Sequence, residues 1–196
     1  MIDNHQSPFN SEPDSLQIDW KSLRHEHLVQ WYDNDASLIQ SVGPFLAASL
    51  KSGGAAINIA TPSHRIAVDR WLMADGHHTV ALQRAGRYIP LDAKETLDRF
   101  MVGDSPDRDL FFEVIGALVY RASVSWNGLR AFGEMVRLLW KEGNREGAIE
   151  LEHLWNELAR RYPFALFCAY SREAFPTCQD REAFAHVCDA HSLVIL

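Results

Sequence analysis

An α/β fold with a mostly parallel central sheet, covered by helices on both faces, is predicted by three features of the sequence. Short apolar segments such as Ala55–Ala60 (AAINIA) alternate with longer segments of helical period. The short segments are apolar at nearly every position, which is typical of strands buried on both faces. Gly, Pro, Asn and Asp residues mark the boundaries between the segments. This order of elements indicates a three-layer arrangement of helices, sheet and helices.

The first half of the chain alternates strands with helices. Thr61 followed by Pro62 predicts a capped helix start, because proline is tolerated at the first helical position. Gly76 suits a left-handed cap at the end of that helix. Pro44 removes a backbone donor inside the first long helix, so we expect a kink near Gly43. The predicted strands are His27–Trp31, Ala55–Ala60 and Arg87–Leu91, and the predicted helices are Asp35–Ser52, Pro62–Ala74 and Ala93–Met101.

The second half continues the alternation after a Gly-Asp-Ser-Pro turn at 103–106. One helix ends at Gly143, and Asn144 caps the next. Pro163 ends that helix directly before an apolar strand. The predicted strands are Leu129–Phe132, Phe164–Ala169 and Ser192–Ile195, and the predicted helices are Asp107–Ser123, Glu134–Glu142, the segment between Asn144 and Pro163, and Asp180–Ala190.

The composition is that of one globular domain preceded by a polar arm. The chain has 196 residues, of which 47% are hydrophobic, and this suits a single domain with a sizeable core. Residues 1–18 are rich in Ser, Asn, Asp and Pro and contain few apolar side chains. We therefore expect a flexible arm at 1–18 and one domain at 19–196.

Charge and segment composition exclude several classes of partner. With a net charge of −7 and no clustered Lys and Arg, we expect no direct contact with nucleic acid. No run of about 18 apolar residues exists to span a membrane, and the first residues do not resemble a signal peptide, so we expect a cytoplasmic protein. Cys168, Cys178 and Cys188 are spaced ten residues apart and match no metal or redox motif, which favours reduced thiols.

The densest motif lies between Phe132 and Tyr170 and reads FGEMVRLLWKEGNREGAIELEHLWNELARRYPFALFCAY. The order of FGEMV, LLW, a Gly-Asn pair, LE, LWN, PF, Cys and Tyr resembles the MEDS family, the methanogen/methylotroph sensory domains of prokaryotic signalling proteins. Looser matches extend the resemblance from His25 to the segment His191–Ser192. It therefore covers nearly the whole chain.

The resemblance implies a sensory domain that recognises small hydrocarbon derivatives, often joined to a kinase or a DNA-binding module. It also implies a relation to RecA-like ATPases of the circadian-clock type, whose phosphate loop should follow the first strand. Here that segment, from Tyr32 to Leu38, reads YDNDASL. Acids stand where a phosphate loop needs glycines, a lysine and a hydroxyl. We therefore expect a RecA-like fold without a functional phosphate loop, no nucleotide cofactor and no catalytic activity.

Two acids are candidate site residues. Glu134 lies at the carboxyl end of a predicted strand, where open α/β sheets bind ligands, although its charge could simply complement the helix dipole. Glu152 lies at the edge of an apolar stripe that contains Trp155. A carboxylate there requires a cation, several hydrogen-bond donors or a ligand. An internal ion pair with Arg130, Arg137 or another arginine is the alternative.

Aromatic residues near these acids could line an apolar pocket. By spacing alone, Trp140 and Trp155 fit the core, whereas the family resemblance favours a pocket. The predicted ligand-binding residues are Tyr32, Phe132, Glu134, Met135, Trp140, Glu152 and Trp155.

Other polar patterns carry weaker signals. His25 with His27, and the pair His77–His78, lack the ordered spacing of a zinc site, so we expect no metal. Ser63–His64 suggests a nucleophile and its base, but adjacent helical residues do not face each other, and capping explains the pair better.

These observations together predict a free-standing, non-catalytic sensory or adaptor protein. It should bind a small apolar molecule and signal to another protein, such as a kinase or a transcription regulator, with homo-oligomer formation left open. One alternative is a docking platform without a ligand. Another is an enzyme that uses Glu134 and Glu152 as acid and base, which requires both carboxylates close together at an open cleft.

Overall fold

The structure of the protein, a computed structural model, describes residues 19–20, 22–172 and 180–195. The predicted arm at 1–18 and the residue Cys178 lie outside the described residues.

The strands form one large sheet and one short hairpin. They are β1 (His27–Tyr32), β2 (Ala55–Ala60), β3 (Tyr88–Asp92), β4 (Met101–Val102), β5 (Ser105–Pro106), β6 (Leu129–Gly133), β7 (Ala165–Ser171) and β8 (Leu193–Ile195). Six of them pair in parallel in the order β3-β2-β6-β7-β1-β8, and β4 pairs with β5 as an antiparallel hairpin. All six carboxyl ends therefore lie at the same edge of the sheet.

Helices connect the strands and cover the sheet. They are α1 (Asp35–Lys51), α2 (Pro62–Ala74), α3 (Thr79–Arg84), α4 (Ala93–Asp98), α5 (Arg108–Phe111), α6 (Ala117–Ser125), α7 (Met135–Lys141), α8 (Arg145–Arg161) and α9 (Asp180–Asp189), with a π-helical turn at Phe112–Gly116 between α5 and α6. None of the described helices combines the length and hydrophobicity that crossing a membrane requires.

Two apolar layers hold the helices against the sheet. Successive strand residues point to opposite faces, so Leu28 joins the layer under α1 and α2 while Val29 joins the layer under α7 and α8. The first layer contains Phe45 and the second contains Trp155, both fully or almost fully buried. The predicted three-layer α/β fold is confirmed.

Helices α1 and α2 approach each other closely at Gly43. A Cβ atom at this position would lie 2.3 Å from the ring of Trp71, so only glycine fits without a shift. Pro44 follows directly, and α1 continues as one helix across it. This contact sets how closely the two helices pack at this point.

Most element boundaries agree with the sequence prediction. The segments β2 and α2 match at both ends. The prediction was wrong in leaving out α3 and the β4–β5 hairpin. Helix α3 has six residues and no side-chain cap, and each hairpin strand has two residues, so neither carries a periodic pattern. The helix predicted at Asp107–Ser123 is helical, but the π-helical turn divides it.

Candidate functional site

Three strands deliver polar residues to the carboxyl edge of the sheet. Tyr32 ends β1, Thr61 directly follows β2, and Glu134 directly follows β6. Helices α1, α2 and α7 begin at this edge and add Asp35, His64 and Arg137. We call these six residues the carboxyl-edge cluster.

Glu134 is the centre of the cluster and has no exposed surface. Its Oε1 accepts hydrogen bonds from His64 Nδ1 and Arg137, each at 2.8 Å. Its Oε2 accepts from the backbone N–H of Thr61 at 2.9 Å and from the Thr61 hydroxyl at 3.0 Å. A carboxylate has about four acceptor positions, so the protein itself satisfies this one.

These contacts change the interpretation of two helix starts. Thr61 occupies the predicted N-cap position of α2, but its hydroxyl donates to Glu134 and makes no cap hydrogen bond. Glu134 precedes α7 and likewise makes no side-chain cap. Its carboxylate instead accepts hydrogen bonds from Thr61, His64 and Arg137.

His64 was not among the predicted site residues, yet it connects two acids. Its Nδ1 lies 2.8 Å from Glu134 and its Nε2 lies 3.0 Å from Asp35. A ring with a carboxylate at each nitrogen is best satisfied when both nitrogens carry protons. Burial lowers the pKa of His64, but the hydrogen bonds and charges of Glu134 and Asp35 outweigh burial and raise it.

Glu134 responds in the complementary direction. Burial alone raises the pKa of this carboxyl group. The hydrogen bond and charge of His64, the Thr61 N–H and the charge of Arg137 outweigh burial and lower the pKa below its ordinary value. The cluster therefore favours a carboxylate at 134 and an imidazolium at 64.

Within the carboxyl-edge cluster, Tyr32 carries a buried polar atom that has no partner among the described residues. Its side chain is 3% exposed, and its hydroxyl meets no hydrogen-bond partner among the described residues. Burial raises the pKa of this phenol to about 12, partly offset by the charge of Arg137 and reinforced by that of Glu134. The hydroxyl therefore keeps its proton at neutral pH and can donate it.

Glu152 lies in a different network, on the opposite face of the sheet from α1. It has no exposed surface, and its Oε1 accepts from the Tyr170 hydroxyl at 2.9 Å. Its Oε2 lies 3.4 Å from His27 Nε2, 3.5 Å from His191 Nε2 and 3.5 Å from Cys168 Sγ. Burial raises the pKa of Glu152, but the charges and hydrogen bonds of His191, His27 and Tyr170 outweigh burial and lower it to about 2.

The alternative of an arginine partner for Glu152 is wrong. Arg137 donates to Glu134. Arg130 donates to the carbonyl oxygens of Phe45 and Leu23, which belong to the layer under α1. Burial lowers the pKa of Arg130 to about 10, and the nearby charge of Arg24 acts in the same direction.

The predicted aromatic pocket residues are divided between the two faces of the sheet. Phe132 lies in the layer under α1 and α2, while Met135, Trp140 and Trp155 lie in the layer under α7 and α8. The Trp155 ring packs against the rings of Phe111 and Phe164, with distances between ring centroids of 5.4 Å and 6.3 Å. The structure therefore does not bring Phe132 together with the two tryptophans.

A surface depression of about 700 Å³ lies away from these residues. It is formed by the C-terminal half of α1, the end of α2 and the segment before β1, and is lined in part by Trp20, Pro44, Lys51 and Trp71. It opens near the amino ends of the strands and does not include any of the predicted ligand-binding residues.

The fold and both networks can be compared with known proteins. The model of the MEDS family, described as the methanogen/methylotroph, DcmR sensory domain, matches residues 26–191. The chain belongs to the MEDS family. No curated protein matches it in sequence. The residues that carried the resemblance include Glu134 at the centre of the carboxyl-edge cluster, and Glu152, Cys168 and Tyr170 in the second network of this MEDS domain.

Proposed function

We propose that this MEDS domain is a non-catalytic receptor for a small, neutral and largely apolar molecule with one hydrogen-bond acceptor. The molecule binds at the carboxyl-edge cluster, where the Tyr32 hydroxyl donates to it. Binding is passed to another signalling protein through the helices that begin at this edge. The membership in a sensory family supports the signalling role.

The observation that carries the proposal is the buried, unsatisfied hydroxyl of Tyr32. Leaving a buried hydroxyl without a partner costs about 1–3 kcal/mol. A ligand oxygen or nitrogen that accepts from this hydroxyl recovers that free energy. The position also fits, because ligands of open parallel sheets bind beyond the carboxyl ends of the strands.

The surroundings of Tyr32 define the ligand chemistry. The cluster contains two acids, Asp35 and Glu134, and two basic residues, His64 and Arg137, so its charges balance. A charged ligand would leave an unpaired charge, which is costly in a buried site. Tyr32 also belongs to the same apolar layer as Phe132, which favours an apolar body on the ligand.

The same contacts offer a route for the signal. Asp35 belongs to α1, His64 to α2 and Arg137 to α7, and all three meet in one hydrogen-bonded chain through Glu134. A ligand that prefers one arrangement of these side chains shifts the helix N-termini toward that arrangement. The exposed carboxylate of Asp35 brings this change to the surface.

Thermal-shift measurements with a panel of short-chain alcohols, aldehydes and ketones test the proposal. We expect at least one compound to raise the melting temperature of the wild-type domain, with no such effect on a Tyr32→Phe variant. Tyr120→Phe is the matched control, because Tyr120 is half exposed and lies on α6. A compound that stabilises Tyr32→Phe as much as the wild type moves the site elsewhere.

The positions of Glu134 and Glu152 support the proposal that the domain is non-catalytic. Glu134 and Glu152 are both without exposed surface, and their hydrogen-bond partners form two separate sets. A pair that shares one reaction needs both groups at a common, accessible cleft. Screening for hydrolysis of esters and phosphoesters is the corresponding test, and turnover that Glu134→Gln abolishes would contradict it.

A ligand-free docking module is the second candidate, and the packing of the tryptophans favours it. Trp155 and Trp140 are 1% and 4% exposed, and neighbouring side chains fill the space in which a ligand was expected. Native mass spectrometry distinguishes the candidates. A retained small molecule favours the receptor, whereas a co-purifying protein that rebinds at fixed stoichiometry, without any small molecule, favours the docking module.

A further inference from the structure

We infer that His27, Glu152, Cys168 and His191 form a binding site for a divalent transition-metal ion of the zinc class. These four residues, the four-ligand cluster, are all buried, and each directs one ligand atom to a common point. The ligand atoms lie within 4.8 Å of one another. The site is independent of Tyr32 and goes beyond the proposed receptor function.

Four of the six distances between the ligand atoms match the edges of a coordination tetrahedron, and the other two lie within 4.8 Å. With bonds from zinc of about 2.0–2.3 Å, tetrahedral geometry places N, O and S ligand atoms roughly 3.3–3.6 Å apart. In this structure Glu152 Oε2 lies 3.4 Å from His27 Nε2 and 3.5 Å from His191 Nε2. Cys168 Sγ lies 3.3 Å from His27 Nε2 and 3.5 Å from Glu152 Oε2. Four protein ligands without an open position are typical of a closed, structural zinc site, and Cys, His and Glu all bind zinc.

Hydrogen bonds orient both histidines for coordination through Nε2. Asn156 Nδ2 donates to the carbonyl oxygen of Ala190, so its Oδ1 accepts from His27 Nδ1 at 2.9 Å. His191 Nδ1 donates to the carbonyl oxygen of Val187. Each ring therefore donates through Nδ1 and directs Nε2 into the cluster, where the neutral ring presents a lone pair to a metal. Metal-binding histidines are held in this way.

A hydrogen bond also orients Glu152. The Tyr170 hydroxyl donates to Oε1 at 2.9 Å, so Oε2 is the oxygen that faces the cluster. His191 Nε2 has no hydrogen-bond partner among the described residues, although it is buried and 3.5 Å from that oxygen. A lone pair that faces a carboxylate oxygen at this distance is repulsive unless a proton or a metal ion lies between them. This orphaned nitrogen, aimed into the cluster, is the second observation that points to a ligand.

A divalent ion also balances the charges. Coordination requires the Cys168 thiolate, so its thiol proton is released to solvent as the metal–sulfur bond forms. The thiolate and the Glu152 carboxylate contribute two negative charges, and two neutral histidines contribute none. With a divalent cation the buried site is electrically neutral, which removes the cost of leaving a net charge in the core. The mixture of sulfur, imidazole and carboxylate ligands suits zinc rather than magnesium or calcium.

The ion would join four parts of the chain. His27 begins β1, Glu152 lies in α8, Cys168 lies in β7, and His191 stands between α9 and β8. The strand β8 is at the edge of the sheet and pairs with β1 over three residues. A metal at this point attaches the segment from α9 to β8 to the centre of the domain.

Metal titration of the purified full chain tests the inference. After treatment with a chelator, we expect the wild-type chain to take up about one Zn²⁺ per molecule, to melt at a higher temperature and to release about one proton from the thiol. We expect Co²⁺ to give the absorption of a tetrahedral thiolate complex. Cys168→Ser and His191→Gln should each lower the affinity by more than about 100-fold, since loss of an orienting partner alone costs 10–100-fold.

Cys188→Ser is the matched control, because Cys188 is a free cysteine outside the cluster and should not affect metal uptake. Circular dichroism of each variant verifies folding, and the wild-type cobalt spectrum does not depend on any variant. A wild-type chain that takes up no Zn²⁺ or Co²⁺ overturns the inference, as does uptake that Cys168→Ser leaves unchanged. In either case the four side chains would be connected by hydrogen bonds alone.

Discussion

His64 Nδ1 lies 2.8 Å from Glu134 Oε1, and this contact joins the first turn of α2 to the residue that precedes α7. The two residues are 70 positions apart in the chain. Their strands β2 and β6 are neighbours in the sheet, so their carboxyl ends meet. A change in either residue is therefore felt by both helices.

Replacement of Glu134 by Gln should destabilise the domain. The amide NH₂ group would face a donor, either His64 or the Thr61 N–H, and the buried imidazolium would lose one of its two carboxylates. We expect the free energy of unfolding to fall by about 3 kcal/mol, the cost of breaking a buried ion pair on one side. Urea denaturation measures this difference.

The control for this change is Glu142→Gln, at the other end of α7 on an exposed position. An exposed substitution of this kind should change stability by less than about 0.5 kcal/mol. Equal effects of the two substitutions would mean that the buried contacts of Glu134 contribute no more than an exposed charge.

The His64 contacts also predict a pH dependence. The folded protein raises the pKa of His64 above its ordinary value of 6.5, so the stabilisation from its protonated form is complete below pH 6.5 and is lost as pH rises through the folded pKa. The pKa of Glu134 is lowered from 4.5, so its contribution is lost only as the solution becomes acidic. Asp35 and Arg137 complete the set of charged neighbours.

We therefore expect the stability difference between wild type and His64→Gln to narrow as pH is raised above 6.5. The other histidines titrate in both proteins, so their effects largely cancel in the difference. Unfolding free energies measured at several pH values test this. A difference that stays constant with pH would show that folding does not raise the pKa of His64.

The fold was largely predictable from the sequence because each layer leaves a local pattern. Strands buried on both faces, such as β2, are continuous apolar segments, and caps such as Asn144 mark the helix starts. The short α3 and the β4–β5 hairpin have no such pattern, since they depend on contacts made after the chain has folded.

The site was predictable only in part, because its residues meet through the topology of the sheet. Glu134 follows a strand directly, and this position alone indicated the carboxyl edge. His64 was missed, because nothing in the sequence relates it to a residue 70 positions away. The same holds for His27 and His191, which the strand order brings to Glu152. The relation to RecA-like ATPases stays a prediction.

Removal of the hydroxyl should have different effects on stability at Tyr170 and at Tyr32. The Tyr170 hydroxyl donates to the buried carboxylate of Glu152, so Tyr170→Phe should lower the free energy of unfolding by about 1.5–3 kcal/mol. The Tyr32 hydroxyl has no partner among the described residues, so Tyr32→Phe should leave stability unchanged or raise it by up to about 1 kcal/mol. Chemical denaturation of both variants measures this. A large loss in Tyr32→Phe would reveal a hidden partner for that hydroxyl.

The contact between Gly43 and Trp71 predicts a conditional effect of Gly43→Ala. In a helix with free space, alanine is favoured over glycine by about 1 kcal/mol. Here the added Cβ would lie 2.3 Å from the Trp71 ring, and the resulting displacement of α1 from α2 costs about 1–3 kcal/mol. We therefore expect Gly43→Ala to destabilise the wild type but to stabilise a Trp71→Ala variant, in which the ring is gone. A double-mutant cycle measured by urea denaturation tests this. Equal effects in the two backgrounds would mean that the ring moves aside at no cost.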